Sequence, residues 1–588
     1  MGHREPVTHR AKLYSLDTES DEISPAAGFL VLRQPPQGAR AKMHRDSAMS
    51  KDVPNEALLS ALSAPIMKPA EASNEASKPV GSRTKFHPLL RDLTLTMATE
   101  FSVLAAGLVL VSLFGRLLGP VALGEFLLLR RVAAWLLAGV LLGMGNALPR
   151  YIAICVKKPQ GERNAYFLAG TSCLMGFTVC VGVALYVGRQ YFATWLFGDA
   201  HLAGLILPLG LMLAGLAAQT AAFSYYRGIL AMKRANAIQL FHFAIIPIGV
   251  VVLLYPAHSV ALIVGVAGAL TVVAAALFAR PIFRELARNP LPKLRPYAAE
   301  LLRYGVGRVP GDFGQAALFA LGPLMATHYL PLTQVAYLLL GSNFLLVMGY
   351  TAGPLTVVLL SKFSMMLGQN RLAEVRESLE HLVRAVLDIS VFASLQLVVF
   401  ADVLVRVWVG PRFLPGISII RLLILAIPPY LFYMALRSSI DAVTVKPRNA
   451  GNVMAALVIY LALTAVTLKA LPANFLLEGI AGALVVALSV LGMLTARTFR
   501  DLYNLSVPWG KCAPSLLAAA LMGAASFAFR RIQPDAHEGP VTFLWELLVS
   551  GLFLVALGRL GSPWLGFVWE KAFPGRRLAW FAYKRRAA

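Results

Sequence analysis

Apolar residues run through this chain in long blocks rather than in the short alternations of a soluble protein. Between Leu93 and Leu557 the blocks are about 17–25 residues long and are separated by short loops. A helix needs about 20 apolar residues to cross roughly 30 Å of hydrocarbon. The pattern therefore predicts an all-α integral membrane protein with about 14 transmembrane helices. The predicted spans are Leu93–Phe114, Phe126–Pro149, Ala165–Val187, Leu202–Ser224, Ala237–Tyr255, Val260–Ala279, Gly305–Thr327, Tyr337–Ser361, Ala385–Val405, Ile417–Leu436, Val453–Leu471, Gly479–Ala496, Cys512–Phe529 and Val541–Leu557.

Basic residues divide the loops into two groups, and this division predicts the orientation of the chain. Loops that follow even-numbered spans hold 23 Lys and Arg, whereas loops that follow odd-numbered spans hold 6. Cytoplasmic loops carry the excess of positive charge, so the loops after even-numbered spans are predicted to be cytoplasmic. Both chain ends then lie in the cytoplasm, including the basic tail that contains Lys584, Arg585 and Arg586.

Composition excludes several function classes. Hydrophobic residues make up 57% of the 588 positions and charged residues only 14%. The net charge of +24 does not indicate nucleic-acid binding, because 13 of the 54 basic residues lie in the N-terminal tail and most others fix topology or meet anionic headgroups. The cysteines lack metal-ligand spacing, and no P-loop, zinc-protease motif or nucleophile elbow occurs. No nucleic acid, metal, cofactor or enzyme activity is therefore predicted.

The chain also resembles itself at an offset of 211 residues. Residues 119–129 align with residues 330–340, so that Pro120 matches Pro331, Phe126 matches Tyr337, and a Leu-Leu-Leu run follows in both copies. Six spans lie between the copies, so both copies run in the same direction. The repeat predicts two six-helix lobes related by a pseudo-twofold axis along the membrane normal.

The repeat and the composition together predict how the chain is divided. The first residues are rich in Ala, Ser, Pro, Glu and Lys and lack periodicity, which is typical of disorder. Spans thirteen and fourteen fall outside the repeat. The predicted segments are a disordered cytoplasmic tail (1–91), an N-lobe of spans one to six (92–279), a basic cytoplasmic linker (280–304), a C-lobe of spans seven to twelve (305–497), an appended helix pair (498–557) and a basic cytoplasmic tail (558–588).

Short motifs at the helix ends carry a family resemblance. Residues 114–120 (FGRLLGP) and 143–153 (GMGNALPRYIA) resemble the start of polysaccharide and O-antigen flippases, which belong to the multidrug/oligosaccharidyl-lipid/polysaccharide exporter superfamily. Residues 301–306 (LLRYGV) resemble the opening of that family's second lobe. Residues 353–355 (GPL) and 479–484 (GIAGAL) resemble its helices eight and twelve. The resemblance spans residues 90 to 505.

The resemblance implies a function. Members of this family move an undecaprenyl-diphosphate-linked oligosaccharide across the bacterial inner membrane by alternating access, for surface or exopolysaccharide biosynthesis. The implied partners are the lipid-linked oligosaccharide and membrane lipids, with a polysaccharide polymerase or glycosyltransferases as further candidates.

Charged residues inside the spans are the candidates for this work, because an ionised group near the bilayer centre costs roughly 2.5–3.5 kcal/mol and normally faces a cavity or a partner. Arg308 and Asp312 are four residues apart and share a helix face. Glu100 maps through the repeat to Gly311, beside Asp312, so these three residues are expected to meet across a central cavity lined by spans one, two, seven and eight. Alternatively, Arg308 and Asp312 only neutralise each other.

Arginines near the outer half of span two are candidates for holding the diphosphate, because guanidinium groups donate bidentate hydrogen bonds to phosphate oxygens. The alternative is that these side chains reach the headgroups from a helix end. The substrate-binding candidates are Arg308, Arg131, Arg130 and Arg116, and the ion-coupling candidates are Glu100, Asp312 and Asp388.

Two loops show a helical pattern of their own. Leu372, Val375, Leu379 and Leu382 form an apolar stripe opposite charged residues, and the segment before Leu301 is basic. These patterns predict helices that lie on the cytoplasmic membrane surface.

Two other functions compete with the flippase. A multidrug/cation antiporter of the same superfamily predicts a cavity governed by unpaired carboxylates rather than arginines. A membrane-embedded polysaccharide polymerase or glycosyltransferase predicts a large outer loop with acidic catalytic residues, and no outer loop here exceeds about fifteen residues. The basic residues in the outer half of the spans favour the flippase.

The predicted orientation has a direct test. Single cysteines at Pro159 and Asn289, in a background without the native cysteines, should react with a membrane-impermeant maleimide only after the cytoplasmic side is opened. Both positions follow even-numbered spans and lie in strongly basic loops. Labelling of either position in intact cells, from the outer side, would show that the topology is wrong.

Overall fold

The computed structural model describes residues 88–156, 160–287, 293–369, 371–443, 448–533, 540–562 and residue 565. Within these ranges the chain forms helices and no strand, which confirms the all-α class. The predicted tail 1–91 lies outside the described residues except for 88–91, which already belong to the first helix. The first helix therefore begins a few residues earlier than predicted.

Helices of the N-terminal half are long and apolar, and several contain a break. Residues 114–118 and 241–245 are π-helical, and residues 200–205 are 3₁₀-helical. In chain order the α-helices are α1 (Pro88–Leu113), α2 (Gly119–Leu141), α3 (Met144–Ile154), α4 (Gln160–Val187), α5 (Arg189–Phe197), α6 (Ile206–Gly228), α7 (Met232–Leu240), α8 (Ile246–Leu254), α9 (Val260–Leu286) and α10 (Leu294–Gly305).

The C-terminal half also consists of long helices that are interrupted by short breaks. Residues 306–308 and 411–416 are 3₁₀-helical. The α-helices are α11 (Val309–Ala326), α12 (Leu332–Gly368), α13 (Leu372–Val399), α14 (Ala401–Trp408), α15 (Ile417–Ile424), α16 (Ile427–Val443), α17 (Arg448–Ala470), α18 (Leu476–Tyr503), α19 (Trp509–Ile532) and α20 (Pro540–Arg559).

Among the described residues, 11 helices are long and apolar enough to cross a membrane, or 12 if the bent pair α15 and α16 is one span. Two features separate this number from the predicted 14. Residues 94–141 are counted as one span. A helix of 48 residues would be about 72 Å long, which is more than twice the hydrocarbon thickness. Gly119 within this stretch has φ +86° and ψ −175°, which no α-helix contains. The second feature is α11, which is not among the apolar spans; it carries the polar residues Asp312 and Gln315.

Within each half, the helices pack mainly against other helices of the same half. In the N-terminal half, α6 packs against α4 and α9, and α1 packs against α7. In the C-terminal half, α17 packs against α11 and α18, and α16 packs against α12 and α18. Helix α2 lies between the halves, because it packs against α6 on one side and against α11 and α12 on the other. The exact lobe boundaries stay a prediction.

The contact between α2 and α12 bears on the predicted repeat. Arg131 on α2 donates a hydrogen bond to Ser342 on α12, and these two positions are separated by 211 residues, which is the repeat offset. A residue touches its own symmetry equivalent only where the symmetry axis passes. In the predicted repeat, α2 and α12 would therefore lie next to the pseudo-twofold axis, and the repeat itself stays a prediction.

The apolar stripe from Leu372 to Leu382 belongs to the first part of α13 and does not lie on the membrane surface. Helix α13 is continuous from Leu372 to Val399, and Val375 and Leu379 are completely buried. They belong to an apolar cluster that includes Phe363 and Tyr503. The predicted surface helix is therefore wrong, because the stripe packs against α12 and α18 rather than against lipid.

The appended helix α19 runs parallel to α13 and is held to it by polar contacts at three levels. Near the N-terminal end of both helices Lys511 pairs with Glu380 at 2.5 Å. Further along the helix, Ser515 Oγ donates to Asp388 at 2.6 Å. At the far end Arg530 pairs with Asp402, a residue between α13 and α15.

Asp402 is expected to contribute measurably to stability because it joins two cations. Its carboxylate pairs with Arg421 at 3.2 Å and with Arg530, and the Arg530 side chain is only 12% exposed. Removing one partner of a fully buried pair costs roughly 3–5 kcal/mol, and partial exposure of Arg421 reduces this. We expect Asp402→Asn to lower the unfolding free energy by about 2 kcal/mol, measured by thermal unfolding in detergent.

A matched control is available on the surface. Asp501 lies 4.0 Å from Arg500, and both side chains are at least half exposed. Asp501→Asn should change the unfolding free energy by less than about 0.5 kcal/mol. Equal unfolding midpoints for the two variants would contradict the stabilising role of Asp402.

Candidate functional site

Arg131 lies near the middle of α2 rather than near its outer end. The helix begins at Gly119, not at Phe126 as predicted, so twelve residues, or about 18 Å, precede Arg131. The helix starts earlier than predicted because Gly119 and Pro120 look like loop residues in the sequence. The two explanations for Arg131, a cavity-facing cation or a side chain that reaches the headgroups, both stay predictions.

The Arg131 guanidinium is inserted into the C-terminal half. Its Nη2 donates to Asn343 Oδ1 at 2.8 Å and to Ser342 Oγ at 3.2 Å. The guanidinium also lies over the Phe319 ring, 5.9 Å from its centroid, which is a cation–π contact. One arginine of α2 therefore contacts both α11 and α12.

Three buried donors around this arginine have no acceptor. They are Arg131 Nε, Asn343 Nδ2 and Trp135 Nε1. Trp135 follows Arg131 by one helical turn and so lies on the same face, next to Phe313 at 5.6 Å between ring centroids. The Asn343 amide orientation is fixed, because its oxygen accepts from Arg131 and a flipped amide would direct its NH₂ at a cation. The site is rich in donors and poor in acceptors.

Arg130 is adjacent to Arg131 in the chain, but its side chain points in a different direction. Its guanidinium lies over Phe126, one turn back, at 5.5 Å. Tyr350 of α12 lies close enough to both arginines to interact electrostatically and is itself 65% exposed. Tyr350 therefore marks an opening beside the two cations.

A second polar cluster lies within the C-terminal half, on the side of the chain that is predicted to be cytoplasmic. Arg437 of α16 donates to Gln315 of α11 at 2.9 Å. Asn449 of α17 donates to Asp441 at 2.8 Å and to the Arg437 carbonyl at 2.7 Å. Arg437 and Asp441 both act electrostatically on Asp312. This cluster joins three helices around two carboxylates.

Arg308 is an exposed residue at the edge of this second cluster. Residues 306–308 form a 3₁₀ turn, so Arg308 and Asp312 do not belong to one regular helix. The Arg308 guanidinium lies over the Tyr304 ring at 5.1 Å. It still contributes an attractive charge to both Asp312 and Asp441. The predicted meeting of Arg308 with Glu100 is absent from the described contacts.

Arg116 lies just after α1, at the end that is predicted to be the outer one. It donates from Nε to the Trp408 carbonyl at 3.3 Å and from Nη2 to the Val407 carbonyl. The Trp408 carbonyl also accepts from Ser112, and the Trp408 indole donates to the Leu108 carbonyl at 2.8 Å. Arg116 is thus part of an outer contact between α1 and α14, not part of the Arg131 cluster.

The remaining ion-coupling candidates lie apart from both clusters. Glu100 on α1 is exposed and accepts from Gln239 of α7 at 3.3 Å. Asp388 on α13 is 1% exposed and is bonded to Ser515 of α19. Of the three candidates, Asp312 is the one that lies in the second cluster, beside Asp441 and Arg437.

The residues that complete the Arg131 cluster were missed by the sequence analysis. Asn343 and Trp135 are uncharged, and an uncharged residue in an apolar span does not stand out. The repeat contained a usable signal, because the position equivalent to Arg131 is Ser342, next to Asn343. Arg437 and Asp441 lie just beyond the predicted end of span ten and were counted as loop residues.

Comparisons with known proteins define the class of fold. No family model and no curated protein matches the sequence. Among solved structures, the lipid II flippase MurJ in an inward closed conformation matches with a TM-score of 0.61 and 15% identity, over 79% of this chain and 98% of that chain. An inward-facing multidrug resistance MATE family transporter of the MOP superfamily matches with a TM-score of 0.55 and 14% identity, over 74% and 98%.

A eukaryotic MATE transporter matches in the same range, with a TM-score of 0.51 and 14% identity, over 70% of this chain and 98% of that chain. At such identities the likeness concerns the fold. The chain is a multi-pass membrane protein with the fold shared by the MurJ flippase and the MATE transporters.

Proposed function

We propose that this protein is a flippase that moves a diphosphate-linked lipid oligosaccharide across the bacterial inner membrane by alternating access. The two chain ends lie in the cytoplasm in this proposal, and the substrate serves surface polysaccharide biosynthesis. One observation carries the proposal, namely the group of buried donors without acceptors formed by Arg131, Asn343 and Trp135.

The chemistry of these donors fits a diphosphate. An unsatisfied buried donor costs about 1–3 kcal/mol, and three in one place are costly without a ligand. Phosphate oxygens are strong acceptors and pair well with guanidinium groups. A cationic drug would meet N–H donors and a positive charge here, and it would be repelled. The Arg131 cluster therefore favours an anionic substrate over the cation of the antiporter alternative.

The outer contact supports the alternating-access part of the proposal. Trp408 joins α14 of the C-terminal half to α1 of the N-terminal half through three hydrogen bonds with Leu108, Ser112 and Arg116. Helices α2 and α12 also approach each other closely at Gly124, where an added Cβ would lie 3.1 Å from Ala336 Cβ. In this proposal these contacts close the outer side, and release of the substrate there requires them to break.

The multidrug/cation antiporter remains the second candidate, because of the second cluster. Asp312 and Asp441 are both exposed, and carboxylates that face an opening can hold a cation. In the flippase proposal this pair holds a coupling cation instead of a substrate. The Arg437 charge beside both carboxylates reduces the attraction for a cationic drug.

Asn343→Asp tests the sign of the substrate charge. The substitution preserves the size of the side chain and an acceptor for Arg131, but it replaces a free donor by a negative charge. We expect the purified protein to bind undecaprenyl diphosphate at least about tenfold more weakly, which corresponds to about 1.4 kcal/mol of repulsion. Cells that depend on this protein should lose most of their surface polysaccharide.

Asn452→Asp is the matched control for this experiment. Asn452 of α17 lies in the same half, but its amide donates a hydrogen bond to Thr498 of α18 at 3.0 Å. This variant should bind undecaprenyl diphosphate like the wild type. If Asn343→Asp leaves diphosphate binding unchanged and strengthens the binding of an organic cation, the antiporter is the correct function.

A disulfide between Cys residues at positions 124 and 336 tests alternating access. In a cysteine-free background, Gly124→Cys and Ala336→Cys should form a disulfide after a small shift, because the two Cβ atoms would lie 3.1 Å apart and a disulfide needs roughly 3.5–4.5 Å. The disulfide holds the outer side closed, so we expect transport to stop under oxidation and to return with a reductant.

The control places a disulfide within one half. An added Cβ on Gly215 of α6 would lie 3.1 Å from Thr271 Cβ of α9, which is the same separation. The pair Gly215→Cys and Thr271→Cys should allow transport under oxidation. Continued transport by the oxidised 124–336 pair would exclude opening at this contact.

A further inference from the structure

A cavity on the cytoplasmic side of the N-terminal half lies apart from both clusters described above. It has a volume of about 280 Å³. Helix α3 forms one wall, and the other wall is the turn that joins α6 to α7. The lining residues are Asn146, Pro149, Arg150, Arg227, Leu230 and Met232.

The cavity is positively charged. Two of its six lining residues are arginines, one is an asparagine, and none is acidic. Lys233 and Arg234 follow directly in the chain, and both are exposed. The nearby carboxylates of α9 and α10 have other partners. Glu285 pairs with Arg163, and Glu300 accepts from Tyr166. The field inside the cavity therefore favours an anion.

Arg150 is oriented before any ligand binds. Its guanidinium lies over the Tyr304 ring at 4.7 Å, and Nη1 donates to the Tyr304 hydroxyl at 2.8 Å. A guanidinium has five N–H donors, so this single hydrogen bond leaves donors for a ligand. Arg227 rests only on the Phe223 ring, at 5.9 Å, among the described contacts of its guanidinium.

The turn that follows Arg227 and joins α6 to α7 is held in a strained conformation. Leu230 has φ +57°, although a residue with a branched side chain rarely adopts positive φ. Hydrogen bonds from Leu230 N to Arg227 O and from Ala231 N to Tyr226 O close the turn, at 3.1 and 2.8 Å. Strain that is held by surrounding contacts occurs often at ligand sites, and here it fixes one wall of the cavity.

We propose that this cavity binds a phosphate group through Arg150 and Arg227. Paired guanidinium groups with free N–H donors match phosphate oxygens in geometry and charge. The phosphate belongs either to the headgroup of an acidic phospholipid in the cytoplasmic leaflet or to a soluble phosphate in the cytoplasm. The site does not depend on the proposed transport function, because no residue of the Arg131 cluster lines it.

Arg227→Gln tests the site in the full-length protein, reconstituted in nanodiscs. One arm measures binding of radiolabelled inorganic phosphate in nanodiscs of phosphatidylcholine. The other arm measures the fraction of spin-labelled phosphatidylglycerol that the protein immobilises. We expect Arg227→Gln to lower the affinity for inorganic phosphate, for phosphatidylglycerol or for both about tenfold. Arg227→Lys should retain most of the wild-type affinity. A loss in the lipid arm alone identifies a phospholipid, and a loss in the phosphate arm alone identifies a soluble ligand.

Two further variants make the result decisive. Asn146→Asp adds a negative charge to the cavity wall at an exposed position, where folding should tolerate it, and it should weaken binding to the same extent. Arg280→Gln removes an exposed arginine near the cytoplasmic end of α9, outside the cavity, and should change neither arm. If Arg227→Gln and Asn146→Asp both bind phosphate and phosphatidylglycerol like Arg280→Gln, the proposal is wrong.

Discussion

The arrangement of the two halves depends on one buried cation. Arg131 lies at mid-helix in α2, where an unpaired charge is expensive, and it obtains its hydrogen bonds from Ser342 and Asn343 of the opposite half. In the predicted repeat, the relation between Arg131 and Ser342 would place this contact at the axis between the halves. Because the polar groups of α12 are partners of an α2 cation, the two halves cannot slide past each other without breaking hydrogen bonds in an apolar medium. The same cation leaves N–H donors for an anionic ligand, so the structural contact and the proposed site share one side chain.

Contacts at the outer end complement this central one. The hydrogen bonds of Trp408 with Leu108, Ser112 and Arg116 each pair a side chain with a backbone carbonyl. The central contacts of Arg131 instead join side chains of the two halves. Between α2 and α3, Gly143 has φ +75° and packs so tightly on Gly305 that a side chain there would collide with the backbone.

The appended helix α19 is attached by different means from the two halves. Lipid provides no hydrophobic driving force between helices, so polar contacts and close packing must hold α19 against α13. Lys511, Ser515 and Arg530 each find an acidic partner on or just after α13, and Gly523 allows Leu395 to approach closely between them. Asp388 and Asp402 serve this attachment. An acidic residue within a membrane span is therefore not by itself a sign of ion coupling in this protein.

The sequence alone determined the features that depend on the bilayer and on local patterns. Blocks of about 20 apolar residues must become helices, so the all-α class, the approximate spans and the charge asymmetry of the loops could be read directly. The repeat offset came from matching residues, and the two lobes that it predicts stay a prediction. Long-range packing decided the rest. Arg131 and Arg116 look alike in the sequence, but α12 surrounds the first and α14 binds the second, and no local pattern encodes either neighbour. Asn343 and Trp135 became visible only when their unpaired donors met around Arg131, because hydrogen-bond satisfaction is a property of three-dimensional contacts.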